Sequence, residues 1–441
     1  MVDRNTAASA VIDAVDDCAA ELVPWLAELV RCPSVGGTPE ENDVQAWLAP
    51  QLAGLGLEVD HWPLPLAELS ARPDFPGVEV DRSESWGLVG RLPGTEPAAR
   101  TGDDAEPADQ ASPAPRSLMF NAHVDVVPPG SLDTWTGRRP WSGQIVGDTL
   151  HGRGACDMKA GLAAAYWAVV ALVRAGARLR GDLILACVPG EEDGGLGTYG
   201  LLDRGWRADA CVIPEPTSLD LVPANAGALT FRLRVPGHAT HASRRLEGVS
   251  AIEKFWPIWS ALEDLERERN TDADPLVARW SLPYPLSVGQ LTSGSWASSV
   301  PDLLVAEGRL GVALDEPTES ARRALEDAIS VACQHDPWLS DHPASVEWWG
   351  GQFASGRLPA DSDLLHRVRS AHLAAGGAAQ RTWGAPYGSD LRLMNGLGGV
   401  PTLHYGPGDT ALAHAPNESV PLSEVLTATR TLALLALDLC G

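Results

Sequence analysis

The sequence predicts an α/β fold, with a mostly parallel sheet in a main domain and a smaller α+β domain inserted into it. Three observations predict this. Short apolar runs at Leu118–Ala122, Leu183–Val188 and Ala208–Ile213 are separated by helical segments, and strands alternating with helices build a sheet covered on both faces. From Gly227 to about residue 350 the pattern becomes β-α-β-β-α-β, a unit of small-domain size. From Leu358 the α/β pattern resumes. The expected division is therefore 1–226, 227–350 and 351–441, because 441 residues exceed one ordinary core.

The elements follow in order. Ala7–Val30 has apolar residues at helical spacing (Trp25, Leu26, Leu29, Val30), and Pro33 ends it. Glu40–Leu55 reads as a second helix, and Leu57–Trp62 and Trp86–Leu92 as strands. Pro93–Pro115 is mostly Ala, Pro, Asp, Glu, Thr and Gly, which predicts a loosely held surface insertion over about 93–116. Asp157 opens the helix Met158–Ala175, apolar around most of its circumference and hence buried. The inserted unit comprises the strand Ala228–Val235, the helix Val249–Arg267, the strands Pro285–Leu291 and Leu303–Val312, the helix Glu319–His335 and the strand Ser345–Trp349. The strand Val400–Tyr405 and the helix Leu422–Leu439 close the chain, and no internal repeat is visible.

Composition narrows the function. A net charge of −25 argues against nucleic acid and anionic membranes as partners. Lysine is confined to Lys159 and Lys254, so arginine carries nearly all positive charge. Seven scattered cysteines without CxxC spacing suggest free thiols in a reducing compartment. Met1–Ala20 lacks the apolar core of a secretory signal. No apolar run is expected to approach the ~18 residues that span a bilayer. A cytoplasmic protein is expected.

Chemistry concentrates where the predicted strands end. His123 and Asp125 lie two apart on an extended chain and share one side. An imidazole beside a carboxylate is a common pair at metal sites. Glu191-Glu192 and Glu215 follow two other strands, Asp157 precedes the buried helix, and His414 follows the last strand. In α/β sheets ligands sit beyond the carboxyl ends of strands, so these groups are expected to converge. Imidazoles and carboxylates without thiolate suit Zn²⁺, Co²⁺ or Mn²⁺. The doublet Glu191-Glu192, placed in a turn, can supply one ligand and one free base.

These motifs, in this order over roughly residues 20–441, resemble the aminoacylase, acetylornithine deacetylase and succinyl-diaminopimelate desuccinylase family of dinuclear zinc amidohydrolases and peptidases. The resemblance implies two metals per chain, zinc with Co²⁺ or Mn²⁺ as substitutes. His123 and Glu215 would bind one, Glu192 and His414 the other, and Asp157 would bridge them. Asp125 would orient His123, Glu191 would act as base on a metal-bridging water, and a cis peptide would follow Asp157. The inserted domain would be a lid and dimerisation domain of a homodimer.

In that domain Gly237–Ser243 resembles a segment whose histidine reaches the partner's substrate; the spacing favours His241 over His238. Gly388-Ser389-Asp390-Leu391-Arg392 resembles the family's Gly-Thr-Asp-Ala-Arg, which implies that Arg392 clamps a substrate carboxylate. Ser298 stands where many members have a substrate-binding asparagine. The implied activity is hydrolysis of the amide of an N-acyl amino acid or a related carboxylate-bearing amine. A carboxypeptidase or dipeptidase with the same site is the alternative, and an amide synthase or acyltransferase a more distant one.

Overall fold

The computed structural model describes residues 4–96, 116–137 and 139–441. Most of the insertion expected at 93–116 lies outside the described residues. Two sheets organise the rest. The larger has a parallel centre, in which the strand Leu118–His123 is flanked by Leu183–Val188 and Ala210–Ile213, and Thr402–His404 pairs with the latter. Antiparallel strands finish one edge, Trp86–Leu92 and then Glu58–Pro63. On the other side Leu221–Asn225 pairs antiparallel with the Thr402–His404 strand and parallel with Thr382–Ala385.

The three central strands near the site are fully buried, which is why their sequences are continuous apolar runs rather than alternating ones. The helix Ala160–Arg174 packs against the first helix, Arg4–Arg31, and the last, Leu422–Cys440. Residues 160–172 of that helix are all buried. Its close approach depends on Gly161, where a Cβ would stand 1.8 Å from the Pro214 carbonyl oxygen. That contact brings the helix start against the strand end that carries Glu215.

One sequence expectation is corrected here. Ala155–Arg174 is long and apolar enough, by length and composition, to cross a bilayer. In the fold, 89% of its most apolar window is buried, so its apolar surface is spent on the core.

The second sheet is antiparallel, in the order Leu286–Ser293, Leu303–Val312, Gly227–Pro236, Ser345–Phe353. The helices Ala251–Arg269 and Thr318–Gln334 cover it, and Phe231, Leu233, Ile258, Leu310 and Leu325 belong to its separate core. A hairpin, Gln144–Val146 with Thr149–His151, pairs with Ser419–Pro421 and ties the loop before Asp157 to the segment after His414.

Candidate active site and metal centre

The strand ends bring their polar residues together as the topology requires. His123 closes a central strand and is buried. Its Nδ1 lies 2.9 Å from the Asp125 backbone carbonyl, an acceptor only, so Nδ1 carries a hydrogen and Nε2 is the ring nitrogen left to face the carboxylates. That Nε2 lies 3.2 Å from Asp157 Oδ1 and 3.9 Å from Glu215 Oε1. The other Asp157 oxygen, Oδ2, stands 3.5 Å from His414 Nε2, and Glu192 Oε2 is 2.9 Å from the same nitrogen. Asp157 thus lies between two imidazoles, one oxygen toward each. The Asp157–Met158 peptide is cis.

Donor atoms form two triads that share His123, one with Asp157 and Glu192, the other with Glu191 and Glu215; within each, the atoms lie within 4.8 Å. Glu191 and Glu215 are nearly inaccessible. Burial and neighbouring carboxylates, Asp390 beside Glu191 and Asp157 beside Glu215, push both carboxyls well above their usual range. The imidazoles shift in the complementary sense. His123 is raised well above its ordinary value: burial opposes its charge, but Asp157, Glu215 and Asp125 outweigh it. His414 is pushed up to about 11, chiefly by Glu192. Two imidazoles and several buried carboxylates facing one space, with the imidazoles' hold on a proton raised by the carboxylates, is an arrangement that calls for cations. The donor set of imidazole and carboxylate fits divalent metals.

Asp125 departs from the sequence expectation. The backbone carbonyl, not the carboxylate, makes the hydrogen bond that orients His123; the nearer carboxylate oxygen is 3.7 Å away. The carboxylate instead accepts the backbone N–H groups of Glu191 (3.3 Å) and Glu192 (3.2 Å). It therefore pins the turn that presents both glutamates. A buried arginine braces the same turn: Arg82 is paired with Glu41 and Asp193 at 2.9–3.0 Å, and Glu41 accepts the Gly190 N–H at 2.9 Å. At Gly195, φ is +85° and a Cβ would lie 2.4 Å from Asp390 Oδ1, so the turn demands glycine there.

Sequence reasoning missed Glu418 and Arg153, each four residues from a predicted ligand, His414 and Asp157. The Glu418 carboxylate is fully buried. It accepts from Arg153 Nη1 (2.6 Å) and from the backbone N–H groups of Gly154 (3.0 Å), Cys156 (2.8 Å) and Asp157 (3.0 Å). Arg153 also donates to the His414 carbonyl at 3.2 Å. One ion pair thus positions both the central carboxylate and the second histidine, whose backbone sits at φ 60°, rare for a residue with a side chain.

The cluster lies on the wall of a cavity of about 660 Å³ between the two sheets. Trp280, Phe353, Trp383 and Tyr387 supply aromatic surface, and Arg279, Arg309 and Arg381 positive charge. The Tyr387 hydroxyl is buried without a hydrogen-bond partner among the described residues.

Three expected substrate contacts are not in this cavity. Arg392 is buried behind Phe353, 4.1 Å over its ring, and donates to the carbonyls of Ser389 (2.8 Å) and Gly194 (2.7 Å). Its expected role as a carboxylate clamp is corrected, because it does not line the cavity and its Nη1 and Nη2 each hold a backbone carbonyl. Ser298 is exposed on the small domain, its carbonyl accepting the Ala242 N–H at 2.8 Å. His241 is also exposed, bonded to Ser243 Oγ at 2.7 Å, as is His238.

Residues 119–438 match the peptidase family M20/M25/M40. The chain belongs to this family. It is a metal-dependent hydrolase of amide bonds, of a family with dinuclear sites. An N-formyl-4-amino-5-aminomethyl-2-methylpyrimidine deformylase of Halalkalibacterium halodurans is 26% identical, over 97% of this chain and 96% of that one. A succinyl-diaminopimelate desuccinylase of Methylorubrum extorquens is 34% identical over 53% of this chain and 54% of its own. In structure, the dipeptidase Dug1p from Saccharomyces cerevisiae shares the fold with a TM-score of 0.72 at 14% identity, covering 98% of each chain.

Proposed function

We propose that this M20 hydrolase removes the acyl group from an N-acyl amino acid or a related carboxylate-bearing amine, using two divalent ions of which zinc best suits the ligands. The observation that carries the reading is Asp157 between His123 and His414, one oxygen toward each, with Glu192 and Glu215 alongside. His123 and Glu215 would hold one ion, Glu192 and His414 the other, and Asp157 both. Ions held there would supply Lewis acidity toward an amide carbonyl and a bound water.

The chain's own groups do the rest. Glu191, buried and with a raised affinity for a proton, takes one from the attacking water and delivers it to the departing nitrogen. Tyr387, with its free hydroxyl in the cavity wall, donates to the carbonyl oxygen as negative charge gathers there. Trp280, Phe353 and Trp383 exclude water around the acyl-amine.

A homodimer in which His241 reaches the partner's cavity is part of this proposal. The exposure of His241 and of Leu246 (89%) and Trp296 (74%) on the small domain supports it, and equilibrium sedimentation tests it. The seven unpaired thiols support a cytoplasmic location.

A panel of N-acetyl, N-formyl and N-succinyl amino acids, dipeptides and an N-formyl aminomethylpyrimidine tests the reading. Release of free amino acid from the N-acyl compounds is expected. With Tyr387→Phe, kcat should fall by about 10²–10³ at unchanged metal content. Exclusive cleavage of dipeptides would transfer the site to a peptidase, and exclusive cleavage of the pyrimidine to a heteroaromatic deformylase, which the tryptophan-lined wall favours as second reading. Amide formation from a free amine, without hydrolysis, would convert it to a synthase.

A further inference from the structure

With Arg392 withdrawn from the cavity, the receptor for a substrate's negative group must lie elsewhere. Arg279 comes from the small domain, between the helix Ala251–Arg269 and the strand Leu286–Ser293. The segment is docked on the large domain: Trp280 Nε1 donates to the Gly384 carbonyl at 2.8 Å, and the Trp280 and Trp383 rings meet edge-on at 5.5 Å.

The Arg279 guanidinium lies 4.8 Å from the Trp280 ring centroid and 4.6 Å from that of Trp383. Contact with ring faces holds the planar cation in place but uses none of its N–H donors. The other two cavity arginines are already paired, Arg381 with Asp220 at 2.8 Å and Arg309 with Glu79 at 2.9 Å. Arg279 meets no carboxylate within ion-pair distance among the described residues, although it lines the same cavity as Glu191, Glu192 and Asp157. Unpaired guanidinium donors on the wall of that cavity match one ligand group well, a planar carboxylate bound by two hydrogen bonds.

We propose that Arg279, held by Trp280 and Trp383, is the receptor for the carboxylate of the substrate, and hence the residue that selects acyl amino acids over neutral acyl amines. The inference rests on the amide-hydrolase reading above. Because the receptor belongs to the small domain and the metal ligands to the large one, an anionic substrate also bridges the two.

The test compares N-acetylphenylalanine with N-acetylphenethylamine, which lacks only the carboxylate, on the metal-loaded enzyme. Arg279 is exposed, so Arg279→Gln leaves the fold intact. The variant is expected to lose about 10–100-fold in kcat/KM on the acid, through KM, the range of hydrogen bonds to a charged group. Turnover of the neutral amide should stay as in the parent, and Arg279→Lys should restore part of the acid's advantage. An equal loss on both compounds, or no loss on either, overturns the assignment while amide hydrolysis stands. Failure of the parent enzyme to cleave either compound, or any on the wider panel, removes the hydrolytic reading and the receptor with it.

Discussion

Glu191→Gln lowers kcat by about 10²–10⁴-fold, the usual worth of a positioned general base, while the protein keeps both metal ions. The substitution preserves size and hydrogen-bonding capacity but removes the proton acceptor. Glu191 is buried against His123 and Glu215 in one triad, so its carboxylate is within reach of a metal site as well as of a water. Its neighbour Glu192 differs in being hydrogen-bonded to His414 at 2.9 Å. The division of labour between adjacent glutamates therefore predicts opposite outcomes: Glu192→Gln loses metal, and Glu191→Gln loses turnover. Metal analysis of both variants alongside kcat decides it. Metal loss in Glu191→Gln would make Glu191 a ligand and require another base.

Glu418→Ala destabilises the protein by about 3–5 kcal/mol, the cost of breaking a buried ion pair from one side. The change strands the Arg153 guanidinium and the N–H groups of Gly154, Cys156 and Asp157, all of which the carboxylate now satisfies. The effect extends beyond stability, because these are the bonds that fix Asp157 and, through Arg153, the His414 carbonyl. Weaker metal binding should accompany the lower denaturation midpoint. Urea unfolding of metal-free and metal-loaded protein measures both. A variant as stable as the parent, with unchanged metal affinity, would show that the pair does not position the site.

Much of this architecture could be read from the sequence because its signals are local. Buried parallel strands are written as unbroken apolar runs, and the residues just beyond them were bound to meet at one end of the sheet. His123, Glu191, Glu192 and Glu215 have that address, while Asp157 stands before the buried helix and His414 in the loop after the Thr402–His404 strand. Side-chain direction is not local. Arg392 sits next to the site in sequence terms, yet its donors go to Ser389 and Gly194, carbonyls nearly 200 residues apart in the second case. Asp125 was expected to work on His123 with its carboxylate and does so with its backbone, because the Glu191-Glu192 turn competes for the carboxylate.

Glu418 and Arg153 could not be read as a pair, since 265 positions separate them. Arg279 left no signal at all. It lies in an irregular connection, and only the docking of Trp280 against the strand of Trp383 makes its position meaningful. His241 and Ser298 are exposed in the single chain, so its fold alone assigns them no contact with the cavity.

Metal content measured together with activity tests the central claim most directly. The protein as purified, or after loading with Zn²⁺, is expected to carry two divalent ions per chain. Chelation should abolish amide hydrolysis, and restoring two equivalents should recover it. A folded, active enzyme carrying no divalent ion would contradict the account, and so would full activity at a single equivalent with no second binding step.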